Sequence, residues 1–153
     1  MGLMTLASGD VDLVNFMTSI GWRPGRDVDL TADLQAWSLF GYAVPDAVRE
    51  FMAECSGLEF TYPRHPAVGG LHSCLISGVA SSRRVMRSLV TGYEERLGRG
   101  LCPIGQSASG NLFLYMASDG STYGGHDRFL AKISRDGYRA LRDVRNRAEL
   151  VQL

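Results

Sequence analysis

The apolar positions in the first third of the chain recur every three or four residues, which is the spacing of one face of an α-helix. This pattern predicts three helices, over residues 10–20, 30–42 and 46–55. Gly57 follows the third helix as a stop signal. The candidate N-caps are Ser8 or Asp10 for the first helix and Asp29 or Thr31 for the second. The predicted apolar faces comprise Val11, Leu13, Val14, Met17 and Ile20, then Leu34, Trp37 and Leu39 or Phe40, and then Ala47, Val48, Phe51, Met52 and Cys55.

After residue 57 the apolar positions alternate, which is the period of a β-strand with one buried face. The predicted strands cover residues 58–62, 71–76, 111–116, 121–123 and 129–133, with a shorter extended segment over 101–105. Asp119-Gly120 is a strong turn signal, and the segment after it is expected to pair back on the strand before it. The strands therefore cluster in the middle of the chain, and one hairpin is predicted among them.

Two more helices are predicted around these strands. Ser81 or Ser82 caps a long helix that ends near Leu97, and Ser134 caps a final helix. Their apolar faces comprise Val85, Met86, Leu89, Val90, Tyr93 and Leu97 in the first, and Leu141, Val144 and Ala148 in the second. This order of elements predicts an α+β fold with N-terminal helices, a central, mostly antiparallel sheet and a C-terminal helix.

Composition narrows the class of protein. The chain has 153 residues, 45% of them hydrophobic and 21% charged, which predicts one domain over residues 1–153 with a core over residues 10–148. Its 16 basic and 16 acidic residues balance, which argues against a dedicated nucleic-acid binder. The first ten residues lack the basic start and the apolar length that are typical of a signal peptide, so none is expected. There is no apolar run of about 18 residues, and the three cysteines form no close pair. We therefore expect a soluble cytoplasmic protein without a disulfide framework.

The charge is unevenly distributed along the chain. Residues 1–60 carry nine acidic residues and three arginines, a balance of −6, whereas residues 61–120 and 121–153 each have a balance of +3. Such polarity can steer a charged partner toward one part of the surface. An ordinary uneven surface is the simpler interpretation.

Arg135, Arg139 and Arg142 would fall on one side of the last predicted helix. Arginines in this arrangement could hold phosphate groups or acidic side chains. They could equally form the solvated face opposite the apolar stripe of the same helix. The sequence leaves both interpretations open.

Few residues are candidates for catalysis, phosphate binding or metal binding. Gly105 and Gly110 have the spacing of a phosphate-binding loop, but the lysine that such a loop requires is absent, so a hairpin loop is expected. His72 and Cys74 would share one face of a strand and could form a thiolate–imidazole pair, although structural roles are simpler. The three histidines and three cysteines have no metal-ligand spacing. We expect no enzyme activity, no cofactor and no metal.

Four stretches of the chain, taken together, carry a family resemblance. They are Gly21-Trp22-Arg23-Pro24-Gly25-Arg26 with Val28-Asp29, residues 45–58, Leu101-Cys102-Pro103-Ile104-Gly105 followed by residues 111–116, and Asp119-Gly120 with Thr122-Tyr123 followed by residues 134–141. In this order and spacing they resemble the SUKH superfamily of bacterial immunity proteins, and specifically its third subgroup. The resemblance covers residues 15–145, and its first stretch is the most specific.

The resemblance implies a protein that binds and neutralises a cognate secreted toxin domain, often a nuclease, of a polymorphic or contact-dependent toxin system. Because nuclease toxins have basic clefts, the acidic block of residues 1–60 is a candidate complement. That block comprises Asp10, Asp12, Asp27, Asp29, Asp33, Asp46, Glu50, Glu54 and Glu59. The candidate partner-binding residues are Asp27, Asp29, Asp33, Trp22 and Arg26. Trp22 and Arg26 could equally lock their loop onto the rest of the fold.

Two other functions remain open on the sequence. One is a non-catalytic protein-interaction module in bacterial signalling or regulation. The other is a small enzyme that uses Cys74 with His72, which predicts a thiol that reacts unusually fast with an alkylating probe at neutral pH. No direct contact with nucleic acid or membrane is expected in any of these functions.

Overall fold

The structure is a computed structural model, and it describes residues 2–153. The helices are α1 (Leu3–Leu6), α2 (Val11–Ser19), α3 (Thr31–Leu39), α4 (Asp46–Cys55), α5 (Gly78–Arg84), α6 (Arg87–Leu97) and α7 (Gly137–Arg145). The strands are β1 (Glu59–Pro63), β2 (Leu71–Ile76), β3 (Cys102–Ser107), β4 (Leu112–Met116), β5 (Thr122–His126), β6 (Phe129–Ser134) and β7 (Val151–Gln152). A single 3-10 turn, Ala108–Gly110, connects β3 to β4.

The seven strands form one sheet in which each strand pairs with the next along the chain, and every pairing is antiparallel. The α+β class predicted from the sequence is confirmed. Gly105 and Gly110 belong to the β3–β4 hairpin, as expected, and Asp119-Gly120 forms the turn before β5. Strands that follow one another along the chain are thus neighbours in the sheet throughout.

Helices cover both faces of the sheet. Successive strand residues point to opposite faces, and Tyr115 and Met116 of β4 show what each face contacts. The Tyr115 ring packs edge-on against Tyr93 of α6, with the ring centroids 5.7 Å apart. Met116 points to the other face and lies against Gly137 of α7. A Cβ added to Gly137 would lie 2.8 Å from the terminal carbon of Met116. The buried residues of helices and strands therefore join in one core.

The first three predicted helices are confirmed as α2, α3 and α4, but one assignment to their buried faces was wrong. Val11 is 68% exposed, and Phe16, which was not assigned, is buried. Leu39 is 78% exposed, whereas Phe40 is half-buried, so the second alternative was correct at that position. In a helix of two or three turns, the sequence periodicity defines the buried face only to within about one residue. Packing against the rest of the fold decides which residues are buried.

The long helix predicted to begin at Ser81 or Ser82 is instead two helices. Val85 and Met86 have extended backbone angles, so α5 ends before them and α6 begins after them. Ser77 caps α5 by accepting a hydrogen bond from the N–H of Ala80 at 3.0 Å, and both predicted cap serines are buried inside that helix. α5 begins before the predicted cap residues because β2 ends at Ile76 and the chain turns at once, with Gly78 packed against the Trp37 ring.

The C-terminal end also differs from the prediction. Asp136, not Ser134, caps α7 by accepting from the N–H of Arg139 at 2.8 Å, because β6 continues through Ser134. Ala148 lies beyond α7 and is exposed. The sequence also failed to predict α1 and β7, which are too short to show a period. Among residues 2–153, no helix is both long and apolar enough to cross a membrane.

Candidate functional site

The loop between α2 and α3 carries most of the predicted site residues, and Glu54 of α4 anchors its beginning. Trp22 is buried, and its indole N–H donates to Oε2 of Glu54 at 3.0 Å. The same oxygen accepts from the backbone N–H of Leu3 at 3.2 Å. One carboxylate thereby connects α1, the loop and α4. Glu54 was grouped with the acidic block as a partner-binding charge, and its carboxylate instead serves this internal role.

Arg26 anchors the middle of the same loop. Its Nη1 donates to the backbone carbonyl of Glu54 at 2.6 Å, and its Nη2 donates to that of Ser56 at 3.0 Å. These carbonyls belong to the last turn of α4, where backbone acceptors lack helical partners. A guanidinium is well matched to this position because it presents several donors at fixed angles. Of the two interpretations that the sequence left open for Trp22 and Arg26, the contacts favour locking the loop.

Asp33 is 5% exposed and lies inside the fold rather than on its surface. Its Oδ2 accepts from the hydroxyl of Ser56 at 2.6 Å, and its Oδ1 accepts from the backbone N–H of Val79 at 3.0 Å. The carboxylate thus connects α3 to the end of α4 and the start of α5. Its two oxygens are engaged with internal donors, so the surface available to a partner at this site is formed by other residues.

Asp27 and Asp29 are exposed, and they flank the half-buried Val28. The N–H of Val28 donates to the carbonyl of Ala53 at 2.7 Å, which fastens this extended segment along α4. Residues two apart in extended chain point the same way, so both carboxylates point outward. Asp29 accepts from the N–H of Thr31 at 2.9 Å and from its hydroxyl at 2.6 Å, and these bonds lower the pKa of Asp29. The segment 27–29 therefore presents two carboxylates on a fixed backbone.

The predicted arginine row of α7 is used inside the protein. Nη1 of Arg142 lies 3.0 Å from Oδ1 of Asp10 and 3.1 Å from Oδ2 of Asp12. Arg139 donates to Asp136 at 2.6 Å and to the carbonyl of Leu6 at 3.0 Å. Both arginines therefore hold acidic side chains, which is one of the interpretations that the sequence left open, and these acids belong to the protein itself rather than to a partner. Arg135 is exposed, as the solvated interpretation predicted.

Cys74 is fully buried, and burial raises the pKa of its thiol to about 12. Burial also raises the pKa of the Cys55 and Cys102 thiols. A catalytic cysteine needs an accessible thiolate, and Cys74 has neither the access nor the low pKa, which argues against the enzyme that pairs it with His72. Within residues 2–153, no group of three or more histidine, cysteine, aspartate or glutamate side chains is placed to hold a metal ion.

His65 and His72 line one cavity of 310 Å³, which also includes Tyr62, Asp143 and Arg147. His126 lies elsewhere, in an exposed position beside Asp127. Sequence reasoning missed this cavity because its members come from the β1–β2 hairpin, the β3–β4 hairpin and the region around the end of α7, and the first and last of these are about eighty residues apart in the chain. No local pattern could have connected them.

These contacts hold a surface segment in place and leave its two carboxylates exposed, which is an arrangement suited to binding a partner. The model of the SUKH-3 immunity protein family matches residues 10–145, and the chain therefore belongs to this family. The resemblance inferred from the sequence is confirmed. Membership supports an immunity function against a toxin and implies that the protein binds a cognate toxin. A search of curated proteins and a search of solved structures each returned no match.

Proposed function

We propose that this protein acts in the cytoplasm and neutralises a cognate nuclease toxin of a polymorphic or contact-dependent toxin system. It covers the basic cleft of the toxin with the exposed carboxylates of segment 27–29 and carries out no reaction itself. Family membership supports the immunity function. The observation that carries the electrostatic part is the outward-pointing pair of Asp27 and Asp29.

The two carboxylates are available to a partner. Neither has a cationic partner among residues 2–153. This distinguishes them from Asp10 and Asp12 of the same acidic block, whose charges face Arg142. A basic cleft that meets segment 27–29 therefore gains attraction without first breaking an ion pair.

The remaining predicted site residues are assigned positioning roles in this proposal. Arg26 and Trp22 fix the loop on α4, and Asp33 fixes the start of α3 just after the segment. A segment that is already ordered loses little conformational entropy when it binds, so more of the interaction energy appears as affinity. Trp22, Arg26 and Asp33 would thus influence toxin binding through the shape of the loop.

The test is calorimetry of the protein against the C-terminal domain of a large secreted protein encoded beside it. We expect sub-micromolar binding, and we expect the double variant D27K/D29K to bind about tenfold more weakly, a difference of about 1.4 kcal/mol. Asp27→Lys and Asp29→Lys are also measured singly, and Glu95→Lys is their matched control, because each reverses one charge and Glu95 is an exposed carboxylate on α6 without an ion-pair partner in the described chain. This control should bind like the wild type.

The possible outcomes separate the parts of the proposal. Tight binding that D27K/D29K leaves unchanged would support the immunity function but exclude segment 27–29 as the charged contact. Equal weakening by Glu95→Lys would indicate a general charge effect rather than a specific site. No binding to any such domain would contradict the proposal and favour the regulatory interaction module.

A further inference from the structure

The cavity that contains His65 and His72 has properties that toxin binding by segment 27–29 does not use. Its volume of 310 Å³ lies within the range of about 300–1,000 Å³ that small-molecule sites occupy. Leu112 of β4 and Val144 of α7 contribute apolar walls, and the Tyr62 ring packs against the His72 ring with centroids 5.6 Å apart. The cavity is open to solvent on one side and has room for an apolar body the size of one aromatic ring.

Hydrogen bonds within the protein orient both histidine rings. Nδ1 of His65 accepts from the backbone N–H of Ala67 at 3.0 Å, so the ring proton of the neutral imidazole lies on Nε2. The hydroxyl of Ser109 accepts from the N–H of Ser73 at 3.2 Å and lies 3.3 Å from Nδ1 of His72, where the hydrogen bond can run in either direction. Neither Nε2 atom has a hydrogen-bond partner among the described residues, so both are available to a ligand, and that of His72 donates when it carries the ring proton.

Unusual backbone conformations are concentrated around this cavity. Four non-glycine residues within 2–153 have positive φ, and three of them, Ala108, Ser109 and Arg147, lie in or next to its lining. Ser109 at φ 57° places the hydroxyl that orients His72. Arg147 at φ 52° turns the chain back toward the cavity after α7. Left-handed conformations at such residues are costly and are frequent at binding sites.

The charged groups of the cavity are Arg147 and Asp143. The Arg147 guanidinium has no ion-pair or hydrogen-bond partner in the described chain, so its donors are available. Burial is the main cause that raises the pKa of Asp143; the Arg142 guanidinium opposes this shift and the Asp136 carboxylate adds to it. The ionised Asp143 carboxylate would repel a bound anion, and its raised pKa makes that form less favoured than at an exposed aspartate.

We infer that this cavity is a binding site for a small organic anion, a carboxylate or phosphate monoester on a compact apolar or aromatic body. The anionic oxygens accept from Arg147 and from the Nε2–H groups of His65 and His72. The apolar body packs against Tyr62, Leu112 and Val144. The site is separate from segment 27–29, and a free small molecule is its expected occupant.

The test is an NMR titration of the intact protein with phenyl phosphate, in which the three histidines serve as reporters. We expect saturable shifts in the imidazole signals of His65 and His72 and none in those of His126. Arg147→Ala should weaken binding about fivefold, whereas Asp143→Asn should strengthen it, because the two changes remove opposite charges. Arg128→Ala, an exposed arginine outside the cavity, is the matched control and should have no effect.

Several results would overturn the inference. They are the absence of saturable shifts, equal shifts at His126, or weakening by both Arg147→Ala and Asp143→Asn, which would indicate a structural effect. Inorganic phosphate that binds as tightly as phenyl phosphate would contradict the role of the apolar body. Once a toxin domain is known, its displacement of phenyl phosphate would show that a toxin carboxylate, not a free small molecule, is the occupant.

Discussion

Asp29 and Asp33 lie four residues apart, but their carboxylates have different roles. Asp29 is exposed and bonds only to Thr31, whereas Asp33 is buried and accepts hydrogen bonds from Ser56 and Val79. A buried acceptor that is removed leaves its donors without partners, and this costs more than the hydrogen bonds contributed. At the scale of single residues, burial separates the acidic residues that hold the fold from those that can contact a partner.

Asp33→Ala is expected to lower the free energy of unfolding by about 2–4 kcal/mol, because it leaves the buried Ser56 hydroxyl and the half-buried Val79 N–H without their acceptor. Asp27→Ala, which removes an exposed carboxylate from the neighbouring loop, should change it by less than about 0.5 kcal/mol. Urea unfolding of both variants measures the difference. A loss of stability in Asp33→Ala no larger than that in Asp27→Ala would show that the buried contacts contribute little.

At the scale of elements, α7 is attached to the N-terminal helices by charge as well as by apolar packing. Asp10 caps α2 and also contacts Arg142, and Arg145 lies over the ring of Phe16 at 4.3 Å. The hydrogen bond from the Leu13 N–H and the Arg142 guanidinium lower the pKa of Asp10 below its usual value of 3.8. The ionised carboxylate is therefore the form that stabilises this contact.

Asp10→Asn tests the pH dependence of this contact. A carboxylate with a lowered pKa in the folded state adds stability above its unfolded pKa, and this contribution disappears as the pH falls through the folded pKa. The variant should therefore be less stable than the wild type near neutral pH, and the difference should shrink below about pH 4. Urea unfolding at a series of pH values measures it, with Asp27→Asn as the exposed control. A difference that stays constant with pH would contradict the proposed origin.

Two helical glycines illustrate how packing overrides helix propensity. An added Cβ at Gly78, the first residue of α5, would lie 2.6 Å from the Trp37 ring, whereas nothing lies within 4 Å of one at Gly92 in α6. Gly78→Ala should lower the melting temperature, because it costs about 1–3 kcal/mol of overpacking. Gly92→Ala should raise it, because alanine favours a helix by about 1 kcal/mol over glycine. Calorimetry measures both, and shifts of the same sign would contradict the assigned contacts.

At the scale of the whole molecule, the fold reduces the charge asymmetry of the sequence. Arg142, from the basic C-terminal block, neutralises Asp10 and Asp12 of the acidic N-terminal block. What remains of the acidic block as exposed charge without an ion pair includes Asp27 and Asp29, together with Asp46 and Glu59. Segment 27–29 carries two of these charges close together, so we expect it to contribute a large part of the long-range attraction to a basic partner.

The association rate with the cognate toxin should consequently depend on salt. We expect it to fall about tenfold between about 0.05 M and about 0.5 M salt, because exposed charges are screened over this range. The rate of D27K/D29K should be lower at low salt and nearly independent of salt. Stopped-flow measurements test this, and an identical salt dependence in the two proteins would place the steering charges elsewhere.

The sequence by itself determined the α+β class, the three N-terminal helices and the positions of most strands, because each depends on neighbours within about ten residues. It also pointed to the SUKH-3 family, which the match over residues 10–145 confirmed. The apolar periodicity over residues 81–97 correctly predicted helical structure there, but it did not reveal the break at Val85 and Met86. Apolar spacing alone cannot show that two residues between two helices have extended backbone angles.

The tertiary structure decided which charges and polar groups are available for function. The partner of Arg142 is 132 residues away, and the donors to Asp33 come from two other helical segments. His72 is joined in one cavity to Arg147, which follows it by more than seventy residues. Such pairings depend on how elements dock, and docking is driven by burial of apolar area, which is not directional. Periodicity therefore identified the elements, and the packing of those elements determined which residues form the sites.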